Sequence, residues 1–439
     1  MATQDSPTQD MTPPPSGVSS LRGFRALEID ARMLGMIGAL VVVWVLFHWL
    51  SGGTFLTPRN LWNLSVQTAT VAIMATGMVL IIVSRNIDLS VGSLLGAVGM
   101  FMALLQAEIL PQWLGFDHPA TWIISLAAGL LMGGLIGVIQ GTVIAYANVP
   151  SFIVTLGGLL VWRGVAWAMA SGRTIAPMDG NFQVLGGGAG AGGTIGGTAS
   201  WVLGGVACLG IAWYFFNGRR RRRRYGFALR PLWADVTLAV VGSAIVLVAV
   251  WFLNQYSMPE ALARRYAEEN GLDWPAGGLQ IPLGIAVPVL IAIGTALVMT
   301  VVATRRRFGR YVFAIGGNPE AATLGGINTR RTIVGAFALM GVLVGLAAAV
   351  QVARLNAATS GLGTLSELYV IAAAVIGGTS LAGGVGTIFG AVLGALVMQS
   401  LQSGMVLLGI QAPYQDIVIG IVLVLAVGVD GWYRRRIAR

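Results

Sequence analysis

Lysine is missing from this chain: all 27 of its basic side chains are arginine. A phosphate-binding loop of the GxxxxGK[ST] kind needs lysine to reach the nucleotide phosphates. If ATP drives this protein, another subunit therefore binds the ATP. Cysteine is almost as scarce. Cys208 stands alone inside an apolar stretch, which excludes a disulfide framework and a cysteine-ligated metal. The two histidines, His48 and His118, sit near the ends of apolar stretches with no ligand partner nearby in sequence. A membrane enzyme, for example a lipid-modifying transferase, would need His, Asp or Lys converging at the interface, and no such cluster occurs. No catalytic residue, cofactor or metal is expected in this chain. Charge is thin overall, at 10% of residues against ~25% in an ordinary soluble domain.

What the chain does have is hydrophobic length. About a dozen apolar segments each approach the ~20 residues that cross a bilayer. They fall at 34–50, 66–84, 91–110, 122–146, 151–170, 199–217, 236–254, 284–304, 333–353, 364–382, 386–409 and 413–429. In hydrocarbon, backbone N–H and C=O groups must be satisfied internally, and a helix does that within one segment. The expected fold is an all-α membrane protein, a polytopic bundle of about 10–12 transmembrane helices. Its 62 glycines suit close helix packing in lipid.

The net charge of +10 looks at first like a nucleic-acid signal. Its distribution says otherwise, because the arginines cluster at Arg22–Arg32, Arg219–Arg224, Arg305–Arg310, Arg330–Arg331 and Arg434–Arg436, all flanking apolar segments. That is the footprint of cytoplasmic loops beside a lipid bilayer, not of phosphate-backbone contacts along a nucleic acid. The number of spans between clusters is even, so all of them share one side and both termini are expected in the cytoplasm. Residues 1–33 are read as a cytoplasmic tail, disordered over its polar, proline-rich first 20 residues, and 431–439 as a basic cytoplasmic tail.

Two long loops then fall outside. Residues 171–198 contain GGGAGAGGTIGG and are expected to be flexible. Residues 255–283 carry a short amphipathic helix from Pro259 to Asn270, with Glu260 and Arg264 four apart in the order that supports a helix. It is either a solvated cap or a docking surface. A faint internal echo relates Val91–Val98 (VGSLLGAV) to Val385–Val392 (VGTIFGAV), as two half-units around a central pathway would produce.

The loop between the spans at 284–304 and 333–353 contains a complete short helix. Asn318 suits the N-cap and Pro319 the first helical position. Glu320 complements the dipole, Ala321 and Ala322 favour helix, and Gly325-Gly326 ends it. Such a helix is either an ordinary capped loop or a handle for a partner. Here Glu320-Ala-Ala-x-x-x-Gly326 resembles the cytoplasmic coupling motif of bacterial ABC-importer permeases. With Gly316 and Gly317 it extends to Ala314-Ile-Gly-Gly-Asn-Pro-Glu-Ala-Ala, which is similar to the sugar branch that includes ribose, arabinose and xylose permeases. Ile87-Asp-Leu-Ser-Val-Gly-Ser93, Val149-Pro-Ser-Phe-Ile-Val-Thr-Leu-Gly157 and Val375-Ile-Gly-Gly-Thr-Ser-Leu-Ala-Gly-Gly-Val-Gly386 match that branch as well. The resemblance covers about 34–180 and 284–430 of the chain. An insertion-like middle region, 185–283, is similar in architecture to the D-xylose permeases.

The resemblance implies a permease domain over 34–430 in the bacterial inner membrane, with a sugar as cargo. It implies an ABC ATPase subunit docked on the Asn318–Gly326 helix, a periplasmic sugar-binding protein and a permease homodimer. Ribose, galactose or an autoinducer are the alternative cargoes. An ion-coupled secondary transporter is the rival from another class, and would need an ionisable relay at mid-depth.

Four polar residues precede or open the span at 91–110. Asn86, Asp88, Ser90 and Ser93 either cap the helix or line a gate together with Gly377, Gly378, Thr379 and Ser380. Glu367 and Asp416 lie in or near apolar spans, and each either faces a pathway or pairs with an arginine such as Arg163 or Arg354. Trp162 and Trp167 suit interfacial anchoring better than sugar stacking.

Overall fold

The computed structural model describes residues 31–437 except 116, 189–191, 228 and 276. The tail expected over 1–33 therefore lies almost wholly outside the described residues. Among the described residues, ten helices are long and apolar enough to cross a membrane. In chain order the main helices are α1 (Ala31–Leu50), α2 (Pro58–Val83), α3 (Val91–Leu104), α4 (Pro119–Tyr146), α5 (Ser151–Ala170), α6 (Gly196–Arg224) and α7 (Leu232–Asn254). They continue as α8 (Glu260–Glu269), α9 (Val287–Arg305), α10 (Arg307–Gly317), α11 (Pro319–Leu324), α12 (Thr329–Leu355), α13 (Ser366–Ile376), α14 (Ile388–Leu407) and α15 (Ala412–Ile437). A π-helical turn at Leu105–Ile109 carries α3 onward to Leu114.

The expected span at 364–382 is corrected. Its helix, α13, has 11 residues, about 16 Å at 1.5 Å per residue, or half of a ~30 Å hydrocarbon core. The chain stays uncharged through Gly377–Gly386, so composition alone extends the crossing beyond Ile376, but Gly378, Gly383 and Gly384 take left-handed φ and turn the chain. α3 also begins inside the bundle. Ser90, just before it, faces Gln140 and Gly158, which lie about 10 Å along α4 and α5 from the turn joining them.

These two short starts are inverted counterparts. α2 descends, turns at Ser84-Arg85, and an extended stretch leads back into the bundle, where α3 starts. α12 runs the opposite way, and the stretch 356–365 leads back inside to start α13. The contacts repeat accordingly. α12 packs on α4 as α2 packs on α14, and α3 packs on α12 as α13 packs on α2. The first turns of α3 and α13 meet, with Gly92 against Gly363 and Glu367. The sequence echo joins a different pair, since Val385–Val392 opens α14 while Val91–Val98 opens α3.

α4 and α12 pack closely along their length. Gly133, Gly137 and Gly141 of α4 lie against the backbone of Gly341, Phe337 and Val334 of α12, the small-residue packing that lets helices in lipid approach closely. α2 runs through the centre, and its stretch from Ala72 to Val83 is buried almost throughout.

The middle region is an appended hairpin. α6 and α7 pack on one another, and most of their side chains face outward. Arg219 joins them through Asp235 (3.0 Å). The hairpin is tied to the bundle at its far end, where the Trp62 indole N–H donates to the Gly284 carbonyl (2.9 Å) and its ring contacts Tyr256. α8 forms where the amphipathic pattern placed a helix, burying Ala263 and Ala267, with Arg265 on Glu269 at 2.8 Å. The glycine-rich stretch expected to be flexible is stitched in place on both sides of 189–191. Ile175 pairs with Ala358, Gly186 packs on the end of α12, and Val287 N–H donates to the Gly193 carbonyl (2.9 Å).

Candidate functional site

One end of the bundle gathers the arginine clusters. α6 and α9 both run toward it from the Trp62–Gly284 contact, ending in Arg224 and Arg305, and α12 starts there at Arg330-Arg331. α1 ends at the opposite pole, where Phe47 packs on Gly404 near the end of α14. For Arg219–Arg224, Arg305–Arg310 and Arg330–Arg331 the order of the helices agrees with the expectation that the clusters share one side; Arg22 and Arg25 lie outside the described residues.

At the arginine end α11 projects as a capped helix of six residues. Asn318 Oδ1 accepts from the Ala321 N–H (3.0 Å), Pro319 takes the first position, and Gly326 follows the end with φ +80°. Glu320, Ala321 and Leu324 are exposed, and only Ala322 is buried. Leu324 is 90% exposed, an apolar side chain without a partner among the described residues. The base of this helix is clamped. Arg85, in the turn after α2, donates from Nε to the Gly316 carbonyl (2.8 Å) and from an Nη to the Gly317 carbonyl (2.9 Å). These are carbonyls at the C-terminus of α10, where a cation is favourable.

Gly316 is glycine because the site leaves no room. A Cβ there would run into the Val83 carbonyl and Gly384 N. Gly384 N–H donates to the Val83 carbonyl (2.9 Å), and Gly383 packs against the Arg85 stem. Three segments therefore meet at one point: the turn after α2, the turn between α13 and α14, and the base of α11.

The residues expected either to cap a helix or to line a gate sit behind this junction. Asp88 is buried, and its Oδ1 accepts from Ser90 N–H (2.9 Å) and Ser90 Oγ (2.6 Å). Gln140 Nε2 donates to Ser90 Oγ (3.0 Å), and Ser93 Oγ donates to the Ser90 carbonyl (2.9 Å). Asn86 folds back onto Ser84 (3.0 Å). On the other side Gly377 packs on Gly390, Thr379 is fully buried, and the Ser380 N–H donates to the Val385 carbonyl (2.8 Å), closing the turn. No hydrogen bond joins the Asn86–Ser93 group to Gly377–Ser380 among the described residues. The two segments touch through Val83, Arg85, Gly383 and Gly384 instead.

Arg163 donates to the Ser360 and Leu362 carbonyls (3.1 and 3.0 Å), and among the described residues no salt bridge forms at Glu367 or Asp416. Glu367 is buried, with one carboxyl oxygen unpartnered beside Gly92. Trp167 is exposed, in keeping with anchoring. Arg85 and Gln140 escaped sequence reasoning. Each carried a signal: an arginine next to the Asn-Ile-Asp-Leu-Ser run, and a lone amide inside a glycine-rich apolar span.

Comparison with known proteins agrees with this geometry. Residues 60–427 match the family described as branched-chain amino acid transport system / permease component. The xylose transport system permease protein XylH of Escherichia coli K12 is 38% identical over 94% of this chain and 95% of its own length. XylH of Haemophilus influenzae is 37% identical over 93% of this chain and 98% of its own. The ribose import permease protein RbsC of E. coli K12 is 32% identical over 89% and 91%. No solved structure matches the chain. The cargoes in these names differ from the family's description, so membership fixes the scaffold and not the solute. On the match over most of its length, and as a multi-pass helical membrane protein, the chain belongs to the branched-chain amino acid transport system / permease component family.

Proposed function

We propose that this chain is the membrane-spanning permease of an ATP-driven sugar importer, with D-xylose as its sugar. A separate ATP-binding subunit docks on Asn318–Gly326, a periplasmic binding protein delivers the sugar at the opposite pole, and two copies of the permease form the unit in the inner membrane. The arginine end and both termini face the cytoplasm. The observation that carries this reading is the clamp. An exposed helix with an unpartnered Leu324 is tied through Arg85 to both turns behind which the gate residues lie. A partner gripping that helix has a direct mechanical route to α2, α13 and α14. The similarity to xylose permeases over nearly the whole chain supports the sugar.

The test is reconstitution in proteoliposomes with the ATPase and binding protein. Xylose uptake should require ATP and all three components. Uptake that persists without ATP and collapses with the proton gradient would favour a secondary transporter. ATP-dependent uptake of ribose but not xylose would keep the class and defeat the substrate.

A further inference from the structure

The pole opposite the clamp holds a cavity of about 380 Å³, within the ~300–1,000 Å³ range of small-molecule sites. Gln351 and Arg354, which line it, lie near the far end of α12, about 33 Å along that helix from its start beside α11. Thr364, Ala412 and Asp416 form an exposed rim, and buried Met74 and Leu95 form an apolar floor.

Its chemistry is dominated by amides. Gln67 of α2, Gln351 of α12, Gln399 and Gln402 of α14 and Gln415 of α15 converge on the cavity. They brace one another. Gln399 Nε2 donates to Gln67 Oε1 (3.1 Å) and Gln402 Oε1 (3.0 Å), and Thr70 Oγ1 donates to Gln351 Oε1 (3.1 Å). That bracing engages the carbonyl oxygens of Gln67, Gln351 and Gln402 and leaves their amide N–H groups without partners among the described residues. Polar side chains inside an apolar bundle are costly unless water or a ligand meets them. The charges here balance, one arginine and one aspartate, so the surface selects neither an anion nor a cation. Fixed amide donors beside hydroxyls and the Tyr369 ring match a neutral polyol, whose hydroxyls both donate and accept.

We propose that this cavity is a holding site for a monosaccharide in transit. The inference rests on the sugar reading above. It goes further in placing the sugar on the glutamine cluster.

The experiment uses Cys208→Ser as background, since Cys208 is the sole cysteine. Gln351→Cys places a thiol in the cavity, Thr364→Cys places one at its rim, and Ser257→Cys serves as a distant control. The full-length variants in nanodiscs are treated with an impermeant thiol reagent, with and without D-xylose, and with glycine betaine at equal osmolality. For a site with Kd on the order of millimolar, about 10 mM xylose should slow labelling threefold or more at 351 or 364. Labelling at 257 should not change, and betaine should have no effect. Equal rates with and without xylose at both cavity positions would overturn the proposal, as would equal slowing at 257. If Gln351→Cys does not fold, Thr364→Cys alone decides. ATP-dependent xylose uptake by the reconstituted wild type is measured in parallel. Uptake without protection removes the site and leaves the importer, whereas protection without uptake keeps the site and removes the importer.

Discussion

Replacing Arg85 by alanine tests whether the clamp transmits anything. The side chain makes two charge-assisted hydrogen bonds, one from Nε that is part-buried and one from an Nη that is exposed. A buried bond of this kind is worth ~1.5–3 kcal/mol, and an exposed one a fraction of that. Together they give ~2 kcal/mol holding the base of α11 against the two turns. That is about a thirtyfold change in the ratio of clamped to released helix. Where the ATPase recognises only the clamped position, its apparent affinity falls by the competent fraction, so the Kd for the ATPase should rise by up to about thirtyfold. The assay is titration of the ATPase subunit into nanodisc-embedded permease, paired with uptake in proteoliposomes. Arg85→Lys should fall between wild type and Arg85→Ala, because one ammonium cannot reproduce the guanidinium fork. Both variants should keep the wild-type thermal midpoint to within a few degrees, since the bonds lie at the bundle's edge. Wild-type affinity and uptake in a folded Arg85→Ala protein would refute the clamp.

Three further outcomes follow from the same coordinates. Glu320→Lys should weaken or abolish uptake in a protein that is still inserted and folded, because the reversal opposes the dipole at the start of α11 and changes its exposed face; wild-type uptake would show that this helix is not the handle. In a Cys208→Ser background, Ser257→Cys should react with an impermeant thiol reagent from outside and Tyr225→Cys only after the membrane is breached, and the reverse pattern would invert the topology. Gly137→Val should lower the thermal midpoint of the solubilised protein by several degrees, since its added atoms meet the Phe337 backbone at an overpacking cost of ~1–3 kcal/mol. Gly294→Ala, where nothing lies within 4 Å, should be neutral or slightly stabilising, and equal effects at the two glycines would contradict the packing.

Most of the helices were legible because crossing a bilayer imposes a length, and length is written in the residues themselves. Fourteen of α12's residues are buried, yet its apolar run reads the same as that of lipid-facing α7. α13 misled for the complementary reason. Hydropathy is lowered mainly by charge, and Ile376 through Val385 stays uncharged while the backbone turns. The short helix at Asn318–Gly326 was legible to the residue because caps are local chemistry. The site behind it was not, because its contacts join positions far apart in the chain. Arg85 reaches Gly316 across 231 residues and Gln399 reaches Gln67 across 332, and the inverted pairing of α2–α3 with α12–α13 is carried by backbone proximity at Gly92 and Gly363 rather than by matching side chains.

One short helix connects the sites at opposite poles. α12 spans the whole depth of the bundle and is joined to α4 backbone to backbone at Gly133, Gly137 and Gly141. α13 covers about half that depth. Its first turn supplies Ser366 and Tyr369 to the cavity, and its end runs through Gly377 into the turn that carries Gly384 onto Val83 and Gly316. It packs mainly on α14 and α2, and meets α14 through the same kind of close contact at Gly377–Gly390 and Ala373–Gly394, so its length and its place between the two sites are what set it apart. On the proposed reading, closure of the ATPase subunits moves the clamp, and α13 carries that movement from its foot to the wall of the glutamine cavity that Ser366 and Tyr369 form.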